Sequence, residues 1–312
     1  MDRRDVTWRG YWSALPTPFT EAGELDLAAF EEIVERYIAD GVHGLLVNGS
    51  TGEWAAQSLE ERERLAEAAV RRSNGRVPVV IGVTSSRPHE AARLARHAER
   101  AGADSVMAAP PPATRPTPEE LRWYYETVFG AVTLPAWVYN FPQDAATDIR
   151  PERFAELADL PNVVGVKQST ASLDDLLATI RAVGDRLVVF GHLLSPLGLS
   201  LLRGGFGGDG HFGSGMLLGS RYSAFFELAW AGETAEPLRI AERSDALMHR
   251  LRGPGTDGYN WRYGGMQASL KAAMNLLGQP GGFPRKPKLP ITDTRSLAEI
   301  SAALADAGLE SV

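Results

Sequence analysis

Asn162-Val163-Val164-Gly165-Val166-Lys167 decides how the rest of the chain is read. This apolar run is too short for a globular helix and lacks the polar alternation of a half-exposed strand. It fits a strand buried on both faces, as in a parallel sheet covered by helices. Similar runs recur on either side, at Tyr11–Leu15, His43–Asn48, Val77–Gly82, Asp104–Ala109, Leu134–Tyr139, Leu187–Gly191 and the glycine-rich Gly205–Phe212. Amphipathic segments lie between them. Ser58 with Glu61, and Thr117 with Glu120, have capping-box spacing, and Pro118 takes a first helical position. Ser172 with Asp175 and Ser195-Pro196 read as further helix starts. The cadence predicts an α/β fold, a (β/α)8 TIM barrel of ~250 residues. We assign residues 1–232 to the barrel and 233–312 to a C-terminal helical extension packed on it. An open doubly wound sheet is the alternative, but no strand runs into a dinucleotide fingerprint. The glycines of 204–208 lie in a strand-like segment rather than opening a helix.

With 312 residues, 44% apolar and 23% charged, the chain has an ordinary globular composition and can build a large core. A net charge of −7, with arginines scattered among Asp and Glu, argues against a nucleic-acid partner. Cysteine is absent, which excludes disulfides and thiolate metal sites. The six histidines are dispersed without ligand spacing, so no metal or other cofactor is expected. No run approaches the ~18 apolar residues of a membrane span, and the N-terminus has no apolar signal core. The expected location is the cytoplasm, with no membrane partner.

The basic residues are lopsided: 28 arginines against four lysines, the first of which is Lys167. Only lysine can lose its proton at accessible pH and attack a carbonyl. Lys167 ends a predicted strand, and in a barrel that end faces the catalytic mouth. Burial there would disfavour the charged form and free a nucleophile. The plainer alternative is a lysine paired with a carboxylate or snorkelling to the rim.

Two other strand ends carry suitable groups. Asn48-Gly49-Ser50-Thr51-Gly52-Glu53 combines a tight turn with hydroxyls and backbone N–H groups, a receptor for a small carboxylate. It also fits a simple βα turn. Tyr139-Asn140-Phe141-Pro142 places a tyrosine able to relay a proton at the mouth, or one bonded to a core carbonyl. Trp123-Tyr124-Tyr125 and Phe225-Phe226 are assigned to core packing, while Trp54 either walls the pocket or plugs the rim.

Taken together, Ala14-Leu15-Pro16-Thr17-Pro18-Phe19, Gly49-Ser50-Thr51-Gly52-Glu53, Tyr139-Asn140-Phe141-Pro142 and Gly165-Val166-Lys167 resemble the dihydrodipicolinate synthase / N-acetylneuraminate lyase family of class I aldolases. Order and spacing match over almost the whole chain. The resemblance implies a (β/α)8 barrel with added C-terminal helices, assembled as a homodimer or a dimer of dimers, a homotetramer. It implies Lys167 as the Schiff-base nucleophile and Tyr139 as the proton relay, with Thr51 beside them in the catalytic set. Gly49, Ser50 and Thr51 would hold the substrate carboxylate. Gln168 follows the lysine as in the lyases. Gly210-His211-Phe212-Gly213-Ser214 matches the eighth-strand segment, which puts the Phe212 backbone near Lys167 and lets Ser214 bind a hydroxyl.

The departures narrow the substrate. The lysine-pathway synthases carry a tyrosine after the fourth strand, where this chain has Ala109-Pro110-Pro111-Pro112-Ala113-Thr114. They also place an arginine where this chain has Asp144, which would repel a dicarboxylic imine. The sialic acid lyases place an Asp-Glu pair after the seventh strand, where this chain has Gly191-His192-Leu193-Leu194, leaving His192 as a candidate substrate contact. The expected function is therefore a Schiff-base aldolase or dehydratase acting on a small hydroxylated 2-oxo acid, such as a 2-keto-3-deoxy sugar acid, forming or using pyruvate. Dihydrodipicolinate synthesis is the enzymatic alternative. A barrel that binds a metabolite without turnover is the alternative of another class.

Overall fold

A computed structural model describes residues 1–252 and 260–312, apart from the side chains of residues 144, 260 and 261. Eight strands form a closed, wholly parallel barrel in chain order: β1 (Gly10–Ala14), β2 (Gly44–Val47), β3 (Val79–Gly82), β4 (Ser105–Ala108), β5 (Ala136–Asn140), β6 (Val163–Gln168), β7 (Val188–Phe190) and β8 (Gly210–Ser214). β1 pairs with both β2 and β8, so the barrel has no free edge. Helices surround it, followed by further helices at Ala235–Arg252, Met266–Leu276 and Thr294–Asp306. The fold is a (β/α)8 TIM barrel with C-terminal helices. Among the described residues, no helix is long and apolar enough to cross a membrane.

The helix starts form where the spacing places them. Ser58 caps the helix Leu59–Ser73 and Thr117 caps Pro118–Phe129, each with a reciprocal bond from its glutamate, Glu61 or Glu120. Ser172 and Ser195 cap the helices Leu173–Val183 and Pro196–Arg203 through their hydroxyls.

Two expectations need correction. The eighth strand starts at Gly210, not Gly205, because Gly205, Gly207 and Gly208 have φ of 70°, 97° and 93°, outside the range of an extended strand. Trp123 is 55% exposed, although Tyr124, Tyr125, Phe225 and Phe226 are buried as expected. Three consecutive helical residues span about 200° of the helix surface, so they cannot all face one core.

Inside the barrel, Trp12, Trp137, Phe190 and Phe212 form an aromatic plug with ring centroids 5.0 to 5.8 Å apart. Trp137 needs the glycine opposite it: a Cβ on Gly165 would lie 2.4 Å from the indole. Two residues further along each strand, on the same inward face, come Tyr139 and Lys167. The sequence Gly165-Val166-Lys167 thus sets the lysine directly above a buried aromatic layer.

Candidate active site

β5 and β6 place Tyr139 and Lys167 as direct neighbours in register at the C-terminal end of the barrel. Lys167 is only 7% exposed. Its Nζ lies 4.1 Å from the centroid of the Tyr139 ring and 5.2 Å from that of Phe212. Among the described residues, no hydrogen bond or ion pair holds this amine. Burial without a carboxylate partner pushes its pKa down to about 7, so a large fraction is unprotonated near neutrality.

Two cavities open at this end of the barrel; Lys167 lines neither directly, but its ring neighbours Tyr139 and Phe212 line one each. The larger, about 750 Å³, is lined by Gly49, Ser50, Trp54, Tyr139, Phe141 and Gln267, among others. The smaller, about 330 Å³, is lined by residues that include His192, His211, Phe212, Ser214, Asp245 and Arg252. Trp54 therefore walls a pocket, and the Arg62 guanidinium lies 5.1 Å from its ring centroid.

The turn after β2 lines the larger cavity and is bonded to Ser214, which lines the smaller. Ser50–Gly52 forms a single 3-10 turn whose leading N–H groups have no partner within it. The Thr51 hydroxyl donates to Ser214 Oγ at 3.2 Å, bringing the second and eighth strand ends together. Ser214 also contacts the Met266 sulfur at 3.7 Å.

His192 stands exposed on the rim, its ring centroid 5.7 Å from that of His211. A His211 ring nitrogen donates from Nδ1 to the Gly191 carbonyl at 3.0 Å, and burial holds the imidazole down at about 3. Although solvent reaches His192 at the rim, crowding by the barrel mouth, then the Arg252 and Lys167 charges, push its pKa below the usual range.

One expected residue is not brought into the mouth. The Gln168 carboxamide accepts from Asn140 at 2.9 Å and donates to the Thr179 hydroxyl at 2.9 Å, in the seam between sheet and helices. Strand alternation dictates this: with Lys167 facing inward, its neighbour faces outward. Asp144 falls in the short helix Pro142–Ala145, and its side chain lies outside the described residues.

The sequence reading missed three C-terminal residues that grip the Gly49–Glu53 turn. Gln267 Nε2 donates to the Ser50 carbonyl at 3.0 Å, Lys271 Nζ lies 2.5 Å from Glu53, and the Arg285 N–H donates to Glu53 at 3.1 Å. The scarcity of lysine that drew attention to Lys167 applied equally to Lys271. Among the described residues, no three His, Asp or Glu side chains are gathered so as to hold a metal ion.

A family model described as the dihydrodipicolinate synthetase family matches residues 7–306. A 4-hydroxy-tetrahydrodipicolinate synthase of Phenylobacterium zucineum is 34% identical over 309 residues, covering 98% of this chain and 99% of that one. An uncharacterized DapA-like lyase of Rhizobium meliloti is 34% identical over 287 residues, covering 92% of each. Among solved structures, YagE, an E. coli prophage protein of the dihydrodipicolinic acid synthase family in complex with pyruvate, superposes with a TM-score of 0.85. It is 27% identical, over 97% of this chain and 100% of that one.

Proposed function

The chain belongs to the dihydrodipicolinate synthetase family, and from that membership we propose that it is a Schiff-base aldolase or dehydratase acting on a small hydroxylated 2-oxo acid. Members of the family are class I lyases that work through a lysine Schiff base, and the chain is an enzyme of that class. The observation that carries the Schiff-base step is the state of Lys167: buried above an aromatic plug, without a carboxylate partner among the described residues, against the face of Tyr139.

In this reading the unprotonated Lys167 amine attacks C2 of the 2-oxo acid. The resulting carbinolamine loses water to give an iminium. Tyr139 supplies the proton that leaves with the water, and Thr51, bonded to Ser214, lies beside it in the catalytic set. Ser50, Thr51 and the N–H groups that follow Gly49 hold the C1 carboxylate. The iminium is an electron sink: either the C4 hydroxyl gives up its proton and the C3–C4 bond breaks to an aldehyde and an enamine, which is then protonated at C3, or a C3 proton and the C4 hydroxyl depart as water. Hydrolysis then frees the amine. Ser214 and His192, in the smaller lobe, and the backbone around Phe212 meet the hydroxylated tail. The molecule assembles as a homodimer or homotetramer.

Relatives that bear the name 4-hydroxy-tetrahydrodipicolinate synthase favour a second reading, condensation of pyruvate with aspartate semialdehyde. Against it stand Asp144 in the place of an arginine and the absence of tyrosine from residues 109–114. Borohydride reduction with pyruvate, followed by intact-mass and peptide mass measurement, tests the common step: one pyruvyl group on Lys167 is expected. A protein that gains no adduct is a binding barrel, not this enzyme. A coupled pyruvate assay across 2-keto-3-deoxy acids, run beside an aspartate semialdehyde condensation assay, then separates the two enzymatic readings.

A further inference from the structure

We propose that the helix Met266–Leu276 is a working part of the substrate site, with Gln267 and Lys271 as positioning residues that hold the Gly49–Glu53 turn in carboxylate-binding shape. This rests on the reading that the turn receives the C1 carboxylate. The turn is flanked by two non-glycine residues in the left-handed region, Asn48 at φ 56° and Glu53 at φ 59°. Such conformations persist only where surrounding contacts over-determine them. Asn48 is secured by its own bond to the Arg62 carbonyl at 2.9 Å. The other half of the turn is secured from the C-terminal helix.

Gln267 and Lys271 are four residues apart and share one helix face. One rigid element therefore grips the turn twice, at the Ser50 carbonyl and at the Glu53 carboxylate. The remaining Lys271 donors go to the carbonyls of Thr17 at 2.6 Å and Phe283 at 2.8 Å. All three of its protons are used, and the segment after β1, the turn after β2 and the C-terminal loop converge on one buried ammonium. The Glu53 carboxylate is completed by the Arg285 N–H, and the Arg285 guanidinium is itself clamped by Glu61 at 2.6 and 2.7 Å. The N–H groups of Ser50 and Thr51 are thereby fixed in direction before a carboxylate arrives. The C1 carboxylate stays charged throughout the reaction, so a preorganised receptor for it acts on ground state and transition state alike. Its loss appears in KM rather than in kcat.

Borohydride trapping of Lys167 over a range of pyruvate concentrations tests this in wild type and Gln267→Leu. The Gln267 Oε1 is buried without a partner, so leucine removes one hydrogen bond together with an orphan acceptor and the fold should tolerate it. The half-saturating pyruvate concentration is expected to rise about tenfold, with the limiting rate kept within about twofold. Lys271→Met alone leaves Glu53 buried and unpaired, so the second variant combines Lys271→Met with Glu53→Leu, with the same shift expected. An unchanged half-saturation in both variants, with a normal wild-type adduct, overturns the positioning role. So does a fall in limiting rate without a change in half-saturation. A wild type that forms no adduct overturns the Lys167 reading itself, and this inference with it.

Discussion

Two lysines are buried in this molecule, and they have opposite surroundings. Lys271 is 1% exposed and spends its three protons on Glu53 and two carbonyls, so its charge is matched in place. Lys167 is 7% exposed and faces the rings of Tyr139 and Phe212, with no anion beside it among the described residues. Desolvation lowers both pKa values, to about 8 for Lys271, where Glu53 opposes the fall, and to about 7 for Lys167, where no described residue does. Burial alone does not make a nucleophile. Burial without a partner leaves the amine partly neutral and open to a carbonyl, whereas burial with a full set of acceptors ties the amine into a structural joint.

The sharpest way to break the comparison is to exchange the amines for groups that cannot form an imine. Lys167→Arg keeps charge and approximate length but offers no accessible free amine. Turnover should fall on the order of 10⁵-fold, with no borohydride adduct and an unchanged circular dichroism spectrum. Tyr139→Phe keeps the ring beside the amine and removes the hydroxyl, so kcat should fall about 10²–10⁴-fold. A loss of only twofold would remove Tyr139 from the proton relay.

Lys271→Met should do the reverse of Lys167→Arg. Denaturant unfolding should show a loss of about 3–5 kcal/mol, because Glu53 is left charged and buried, while the adduct still forms on Lys167 in the protein that remains folded. An adduct on Lys271 in wild type would contradict the division of roles.

A smaller effect follows from pH. The trapping rate should fall about tenfold per unit below a midpoint near 7, not near the ordinary lysine value of 10.5. Stability carries the same signature. Between about pH 7 and 10.5 the unfolded chain holds the Lys167 proton and the native state does not, so native stability rises with pH in that window. The difference in unfolding free energy between wild type and Lys167→Met should therefore shift in favour of wild type from pH 7 to 10, and be flat below 7.

Much of the site could be read from local pattern. The apolar run ending at Lys167, the Gly49–Glu53 turn and the Tyr139 strand end all lie at the barrel mouth, because a strand's carboxyl end faces the mouth wherever the barrel closes. Gln168 was misread because the family pattern was followed past the strand's own alternation, which turns it toward Thr179. The Gly205–Gly208 segment was misread because several consecutive glycines have no side chains to define a period. The grip of Gln267 and Lys271 on the turn left no local trace, since a helix face does not declare which loop it meets.

The sequence by itself determined the chemistry on offer: one amine at the end of a buried strand, a tight turn rich in hydroxyls and N–H groups, a tyrosine at the neighbouring strand end, and the eight-unit cadence that brings them to one mouth. Only the tertiary structure decided which buried lysine is surrounded by acceptors. The acceptors of Lys271 include Glu53, 218 residues away, and Thr17, 254 residues away, and pKa follows neighbours in space rather than in sequence.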